Sequence, residues 1–248
     1  MEKVDELKLF CVTHKRVDNI PSDRIVIGVG KQRDQVGADC TDAIGDNISN
    51  KNDNYCELTA LYWIWKNDQS DYIGLEHYRR FFYTNCYFRP KILRKEKIKK
   101  ILERGYIILP YCTSLEKSVY ETYRIHHDIQ DLDQCIDLIN KDFPEYSDAC
   151  KHIMSAQKMS IANMFVMPRK MLSEYCEWLF SILFSIENKI DLSQKDPYQK
   201  RVFGFLSERL FNIWLYHKKP KIFYSRVYTD APPRIHTRII QKLKSLFR

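Results

Sequence analysis

Apolar residues fall along this chain in two alternating patterns, short continuous runs and stripes of helical spacing. Residues 7–13, Leu-Lys-Leu-Phe-Cys-Val-Thr, and residues 24–29 form near-continuous apolar runs of strand length. That is the pattern of strands covered on both faces. The second run closes at Gly28-Val29-Gly30. Residues 71–75, 106–109, 161–167 and 221–228 predict four further strands. Leu58, Leu61, Tyr62 and Trp65 recur at helical spacing within residues 53–66, with Asn52 or Asp53 placed to cap them. Helices are expected over residues 91–104, stopped by Gly105, and over 131–140 and 145–152. Two longer ones open at Pro168 and Pro197 and run to about residues 187 and 216. Residues 31–54 are polar and carry Gly37 and Gly45, which predicts a long loop. Loops of that length in compact domains tend to be functional or mobile.

The alternation of strand and helix predicts an α/β fold, a Rossmann-type three-layer sandwich around a mainly parallel (mixed) sheet. Ligands in such sheets bind beyond the carboxyl ends of the strands. No repeat or low-complexity linker interrupts the chain, so residues 1–230 read as one domain.

Composition narrows the function classes. The 248 residues carry 44% hydrophobic and 13% aromatic residues, which excludes a disordered chain. With 7 glycines, a fold built on glycine-rich phosphate loops is disfavoured. The net charge of +8 suits nucleic acid, anionic lipid or a phosphorylated small molecule. Most aromatics lie in apolar periodic runs instead of alternating with basic residues, which argues against nucleic acid. The 8 cysteines form no C-x-x-C pair, so a zinc ribbon is excluded and reduced, buried thiols are expected. The amino terminus has no apolar signal core, and no apolar run reaches the roughly 18 residues of a membrane span. These features predict a cytoplasmic protein.

Three polar clusters follow predicted strands. Thr13-His14-Lys15 sets a cation at a strand end, where it can meet a diphosphate or form a solvated turn. Residues 45–59 carry amides and hydroxyls that can read a nucleobase or ribose. The same groups can instead satisfy their own backbone through Asx turns and a helix cap. Glu76-His77-Tyr78-Arg79-Arg80 sets two arginines and a histidine at the end of the strand at 71–75. Guanidinium forks suit phosphate oxygens, and a structural ion-pair cluster is the alternative.

Several blocks resemble one bacterial family. They are Gly45-Asp46-Asn47-Ile48-Ser49, Tyr55-Cys56-Glu57-Leu58-Thr59-Ala60-Leu61-Tyr62-Trp63-Ile64-Trp65-Lys66-Asn67, and Gly74-Leu75-Glu76-His77-Tyr78-Arg79-Arg80. Asn163-Met164-Phe165-Val166-Met167 and residues 201–210 match as well, so the resemblance spans about residues 8–216. The family has been described as a domain of unknown function of capsule, exopolysaccharide and O-antigen gene clusters. The resemblance implies a GT-A-like glycosyltransferase that uses a nucleotide sugar. The family setting points to UDP-galactose, as pyranose or furanose, with a lipid-linked glycan as acceptor. The alternative is a non-catalytic scaffold subunit of a polysaccharide assembly complex.

On this reading the candidate donor-binding residues are Thr13, His14, Lys15, Gly30, Asp46, Asn47, Ser49, Lys51, Asn52, Glu57 and Tyr62. His77, Arg79 and Arg80 are the candidates for offsetting the charge of the leaving diphosphate, together with Lys15. Glu208 is the candidate base if the transfer inverts, or a helix residue that pairs with Arg209. His127, Asp131 and Asn163 are candidate sugar contacts, with helix capping the alternative for the first two. GT-A enzymes usually hold Mn²⁺ or Mg²⁺ with Asp-x-Asp after a central strand, and none stands there. The literal match, Asp131-Leu132-Asp133, opens a predicted helix, where capping and dipole roles suffice. Arginine-based, metal-independent charge neutralisation is therefore expected, with a divalent cation on Glu76 and His77 as the alternative. The oligomeric state is left open.

Residues 231–248 read as a basic amphipathic helix. Ile235, Ile239, Leu243 and Leu246 repeat at helical spacing among Arg234, Arg238, Lys242, Lys244 and Arg248. Such a segment suits an anionic membrane surface, each basic group adding about 1 kcal/mol. Packing on the domain or on a second subunit is the alternative. The membrane reading places the protein peripherally on the inner face of the cell membrane. Removing residues 234–248 should then abolish flotation with anionic liposomes, and equal flotation of the two forms would refute it.

Overall fold

The computed structural model describes residues 5–86 and 89–229. The basic tail predicted over residues 231–248 lies outside these. In chain order the strands are β1 (Leu7–Thr13), β2 (Ile25–Gly28), β3 (Cys40–Thr41), β4 (Tyr72–His77), β5 (Arg80–Cys86), β6 (Arg89–Ile92), β7 (Ile107–Pro110), β8 (Thr113–Ser114), β9 (Lys158–Met159), β10 (Phe165–Pro168) and β11 (Ile222–Thr229). The helices are α1 (Asn52–Tyr55), α2 (Leu58–Asn67), α3 (Lys95–Leu102), α4 (Val119–His126), α5 (Ile129–Asp142), α6 (Ser147–Ser155), α7 (Arg169–Glu187) and α8 (Val202–Lys218).

Among the described residues, nine strands form one sheet in the order β3-β2-β1-β4-β10-β7-β11-β5-β6, and β8 pairs with β9 apart from it. The sheet is mixed. Strands β3, β2, β1 and β4 run parallel, as do β7 and β11. Strand β10 is antiparallel to both neighbours, and β5 and β6 are antiparallel throughout. The expected mixed sheet is found, with its parallel part confined to β3-β2-β1-β4 and the β7–β11 pair. Hairpins join β4 to β5 and β5 to β6, whereas β7, β10 and β11 are reached through helices.

Alternation along β1 divides the core in two. Leu7 and Leu9 pack with Ile98, Ile101 and Leu102 of α3 on one face. Phe10 and Val12 face the larger cluster, which holds α2, α7 and α8. The apolar run near residue 180, too short for a membrane span, is the buried flank of α7, from Trp178 to Ile186. No helix of the described residues is long and apolar enough to cross a membrane. Phe203 and Trp214 of α8 are fully buried, and each such side chain contributes about 1.5–3 kcal/mol or more by area. Gly74 of β4 lies against Leu9, where a Cβ would come within 2.5 Å of the leucine methyl. Any larger residue there would force the Leu9 side chain to move.

Three sequence expectations change here. The polar stretch at residues 31–54 is not one loop but carries β3, two short 3-10 turns and α1. The helix expected over residues 53–66 is broken at Cys56, whose φ of 53° lies in the left-handed region. The block Glu76-His77-Tyr78-Arg79-Arg80 does not simply follow a strand ending at Leu75. Glu76 and His77 end β4, Tyr78-Arg79 make the turn, and Arg80 opens β5 as the partner of His77.

That hairpin is pinned by a buried ion pair. Arg24 donates to Glu76 through Nε at 2.7 Å and Nη2 at 3.2 Å, and both side chains are fully buried. The Phe82 amide of β5 donates to the same carboxylate at 2.8 Å. Arg24 also donates to the Leu93 carbonyl at 2.8 Å and to Asp23 at 2.8 Å. Glu76→Gln leaves the guanidinium buried without its counter-charge, and should lower the unfolding free energy by about 3–5 kcal/mol in urea denaturation. A loss below about 1 kcal/mol would show that the pair does not hold the hairpin.

Candidate functional site

A cavity of about 900 Å³ opens at the carboxyl ends of β1, β2 and β4. Its volume lies within the range of small-molecule sites. Thr13 and His14 come from the end of β1, Val29 from the end of β2, and His77 through Arg80 from the β4–β5 turn. One face of α8 and the turn before it supplies Arg201, Gly204, Phe205 and Glu208, spaced as successive turns of a helix. Helix α1 and the break after it supply Asn52, Asp53, Cys56 and Glu57.

The floor is cationic. Lys15 Nζ lies 5.4 Å and Arg79 Cζ 4.9 Å from the Tyr78 ring centroid, and the His14 ring meets Tyr78 edge-on at 5.2 Å. One tyrosine thus gathers three basic side chains at the end of β1. Burial pushes His14 below the usual imidazole value, and Lys15, Arg79 and Arg201 push it further in the same direction. Arg201 closes this side, its Nε donating to the Cys56 sulfur at 3.2 Å.

The opposite wall is organised by strained backbone. Ala162 and Asn163 precede β10 with φ of 82° and 43°, a region that non-glycine residues enter at a cost of order 1–3 kcal/mol. This kink turns the Ala162 amide to donate to Glu208 Oε1 at 2.7 Å. It also turns the Ala162 carbonyl to accept from His77 Nε2 at 2.6 Å, which fixes a proton on that nitrogen. Asn163 donates to Glu57 Oε1 at 2.8 Å and to Ser207 Oγ at 2.9 Å. Glu208 also accepts from Arg209 Nη1 at 3.2 Å. Burial raises the Glu208 carboxyl above its usual value, and the Arg209 charge only partly offsets this. His77 shifts the other way, burial lowering it.

The expected site residues separate into two groups. Thr13, His14, Asn52, Glu57, His77, Arg79, Arg80, His127 and Glu208 line the cavity. Lys15 stands beside it over Tyr78, and Asn163 backs Glu57. Gly30, with φ of 77°, passes so close to Asn52 that a Cβ would come within 2.9 Å of its Oδ1. This close approach requires glycine.

Asp46, Asn47, Ser49, Lys51 and Tyr62 do not line the cavity. Tyr62 donates to Asp46 at 3.1 Å. Asn47 accepts from Ser49 Oγ at 2.9 Å and donates to the Gly45 carbonyl at 2.8 Å. Lys51 pairs with Glu187 of α7. The loop satisfies itself. Asp131 is also elsewhere, paired with Lys195 at 2.9 Å, while Asp133 accepts from Tyr120 at 3.0 Å. The literal Asp-x-Asp is thereby occupied in holding helices.

The alternative of a cation on Glu76 and His77 fails on geometry. Adjacent strand residues face opposite sides of the sheet, and Glu76 is consumed by Arg24 on the side away from the cavity. No three His, Cys, Asp or Glu side chains of the described residues come together as a metal-binding group. Glu76 and His77 together do not fit a divalent cation.

Sequence reasoning missed Asp53, Cys56, Tyr198, Arg201, Phe205 and Arg209. The spacing 201, 204, 205, 208 carries a helical-face signal, legible once Glu208 is taken to face a ligand. His127 lies in a stack, 4.1 Å from Phe205 and 6.0 Å from Tyr198 between ring centroids, with Nδ1 3.1 Å from Gln199 Oε1.

A family model described as "Domain of unknown function (DUF4422)" matches residues 8–219. The structure is similar to the apo structure of WbbM, a bifunctional glycosyltransferase, with a TM-score of 0.82 and 31% identity. The match covers 92% of this chain and 46% of that one, so the chain spans about half the length of WbbM. No curated protein matches.

Burial, followed by the nearby Arg209 and His126 charges, lowers His127 to about 4 against the opposing pull of Gln199. Its ring should stay neutral from about pH 8 down to about pH 5, where an ordinary histidine protonates. Imidazole nitrogen NMR checks this, and a titration midpoint near 6.5 would contradict the stacked, buried setting.

Proposed function

The chain belongs to the DUF4422 family, and on that premise we propose that it is a glycosyltransferase of polysaccharide synthesis that uses a nucleotide-sugar donor. The observation that carries this reading is a half-buried carboxylate, Glu208, facing a cation-rich floor across one cavity, in a chain similar to a bifunctional glycosyltransferase.

The donor diphosphate lies over Arg79, Arg80, His14 and Lys15. These donors offset the charge that builds on the leaving nucleoside diphosphate, and Arg201 adds to them from α8. The glycosidic carbon then points toward Glu208. In an inverting transfer, the Glu208 carboxylate takes the proton of the acceptor hydroxyl as its oxygen bonds to the anomeric carbon and the bond to the diphosphate breaks. A carboxylate whose affinity for protons is raised by burial is a stronger base than an exposed one. His77, held by the Ala162 carbonyl, positions that kink and thereby Glu208. Charge neutralisation by the basic side chains requires no metal ion. The GT-A-like reading of the fold, a UDP-galactose donor and a lipid-linked acceptor at the inner membrane face belong to this proposal. The sequence of the tail and the family resemblance support its membrane part.

A thermal-shift screen of nucleotide sugars in chelator should raise Tm with UDP-sugars, and no shift with any donor would favour the scaffold reading. Glu208→Gln should keep the donor-induced shift but lower kcat by about 10²–10⁴-fold. The sign of the pH dependence follows from the raised carboxyl. The base form appears only above the raised value, so kcat/KM should climb with pH through a midpoint above that of an ordinary glutamate. An unchanged kcat in the glutamine variant would remove Glu208 from the role.

A further inference from the structure

Strand β11 changes partners halfway along its length. Ile222–Ser225 pair with β7, and Arg226–Thr229 pair with β5. Beyond Tyr83, β5 turns away to pair with β6. Where the strands part, a second cleft of about 230 Å³ opens, lined in part by Tyr83, Tyr111, Tyr224, Arg226 and Lys97. None of these residues lines the main cavity.

Alternate residues of β11 share a face, so Tyr224, Arg226 and Tyr228 stand in a row. Tyr83 lies directly across from Arg226, its ring edge-on to Tyr228 at 6.4 Å. Tyr111 stacks on Tyr224 at 5.8 Å with the planes 26° apart. Tyr111 and Tyr224 remain 59% and 39% exposed. The strand that carries the row leads to the main cavity, because Thr229, the residue after Tyr228, and its pairing partner Arg80 both line it. From Thr229 to Tyr224 the strand covers about 17 Å, several times the span of one sugar ring.

We propose that this tyrosine row is a binding track for the acceptor glycan, leading from the transfer cavity to the cleft at Tyr111 and Tyr224; this rests on the glycosyltransferase reading. A sugar ring has an apolar face of C–H groups and an equator of hydroxyls. The first packs on a phenol ring, and the second bonds to phenol tips and to the basic groups Arg226 and Lys97. The row is phenolic, whereas an aliphatic stripe would suit an acyl chain or a protein core. Its continuity with the cavity sets the direction, with the acceptor end of the glycan at Arg80 and the rest of the chain over the tyrosines.

Binding of the full chain is measured on immobilised bacterial surface polysaccharides and their fragments of one to six sugars. Wild-type affinity should rise with fragment length. The Tyr111→Ala/Tyr224→Ala double variant should lose about tenfold on fragments of four or more sugars and nothing on one or two. The Tyr111→Phe/Tyr224→Phe variant, which keeps the rings but lacks the phenol hydroxyls, should keep the length dependence and lose less than the alanine variant. Equal losses at every length overturn the proposal, as does retention of no glycan by wild type. So does a change of oligomeric state in the alanine variant, which would make the row a contact between copies. Thermal shift by nucleotide sugars is read on the same proteins. A donor shift without length dependence rejects the track and leaves the transferase, whereas no donor shift in any form rejects the transferase itself.

Discussion

The buried pair of Arg24 and Glu76 is the constraint on which the rest of the site depends. Two charges withdrawn from water are costly, and they persist here because every strong acceptor and donor nearby is used. The pair joins three parts of the chain, the start of β2, the end of β4 and the carbonyl of Leu93 before α3. It lies on the α3 side of the sheet, whereas His77, one residue on, faces the other. Fixing Glu76 therefore fixes the register at which β4 ends, and with it the Tyr78-Arg79 turn and Arg80. The cations of the cavity floor stand where they do because a carboxylate on the opposite face is locked.

The second wall is secured in a different way. Nothing in the composition of Ser160-Ile161-Ala162-Asn163 demands left-handed backbone, and two consecutive residues adopt it. Both peptide groups at Ala162 are then spent on titratable side chains, the amide on Glu208 and the carbonyl on His77. Strain, an orphaned Asn163 Oδ1 and a carboxylate raised by burial converge within one short segment. A fold selected for stability alone would relieve each of these. Their concentration at one wall is the reason for assigning the chemistry there.

The legibility of this molecule in its sequence varied with the interaction involved. Strands β1 and β2 were legible because continuous apolar runs report burial on both faces, and helix α7 because Pro168 marks its start. The β4–β5 hairpin was not legible. Its polar run Glu76 to Arg80 has the composition of a loop, and the partner that makes Glu76 a core residue lies 52 positions away. The same limit hid the break at Cys56, since Leu58, Leu61, Tyr62 and Trp65 keep helical spacing whichever residue starts the helix. At residues 45–49 the sequence admitted two readings, ligand contact or self-satisfied turns. Hydrogen bonds among Gly45, Asp46, Asn47, Ser49 and Tyr62 fill that loop. Glu208 was visible by position, but the raised proton affinity behind its candidacy comes from burial that no local pattern encodes.

The Asp-x-Asp at residues 131–133 shows how a motif can keep its letters and change its task. Asp131 and Asp128 both accept from Lys195, at 2.9 and 3.0 Å, and Asp128 also caps α5. Lys195 begins the short strap that leads through Tyr198 and Gln199 to Arg201. Gln199 fastens the same strap to the His126 carbonyl at 2.8 Å and to the His127 ring. Asp131 of the motif, together with Asp128, instead holds the segment that carries Tyr198 and Arg201 to the cavity. Positive charge is thus delivered to the site by an arginine on a tethered strap. A fixed guanidinium answers the same electrostatic need as a bound cation.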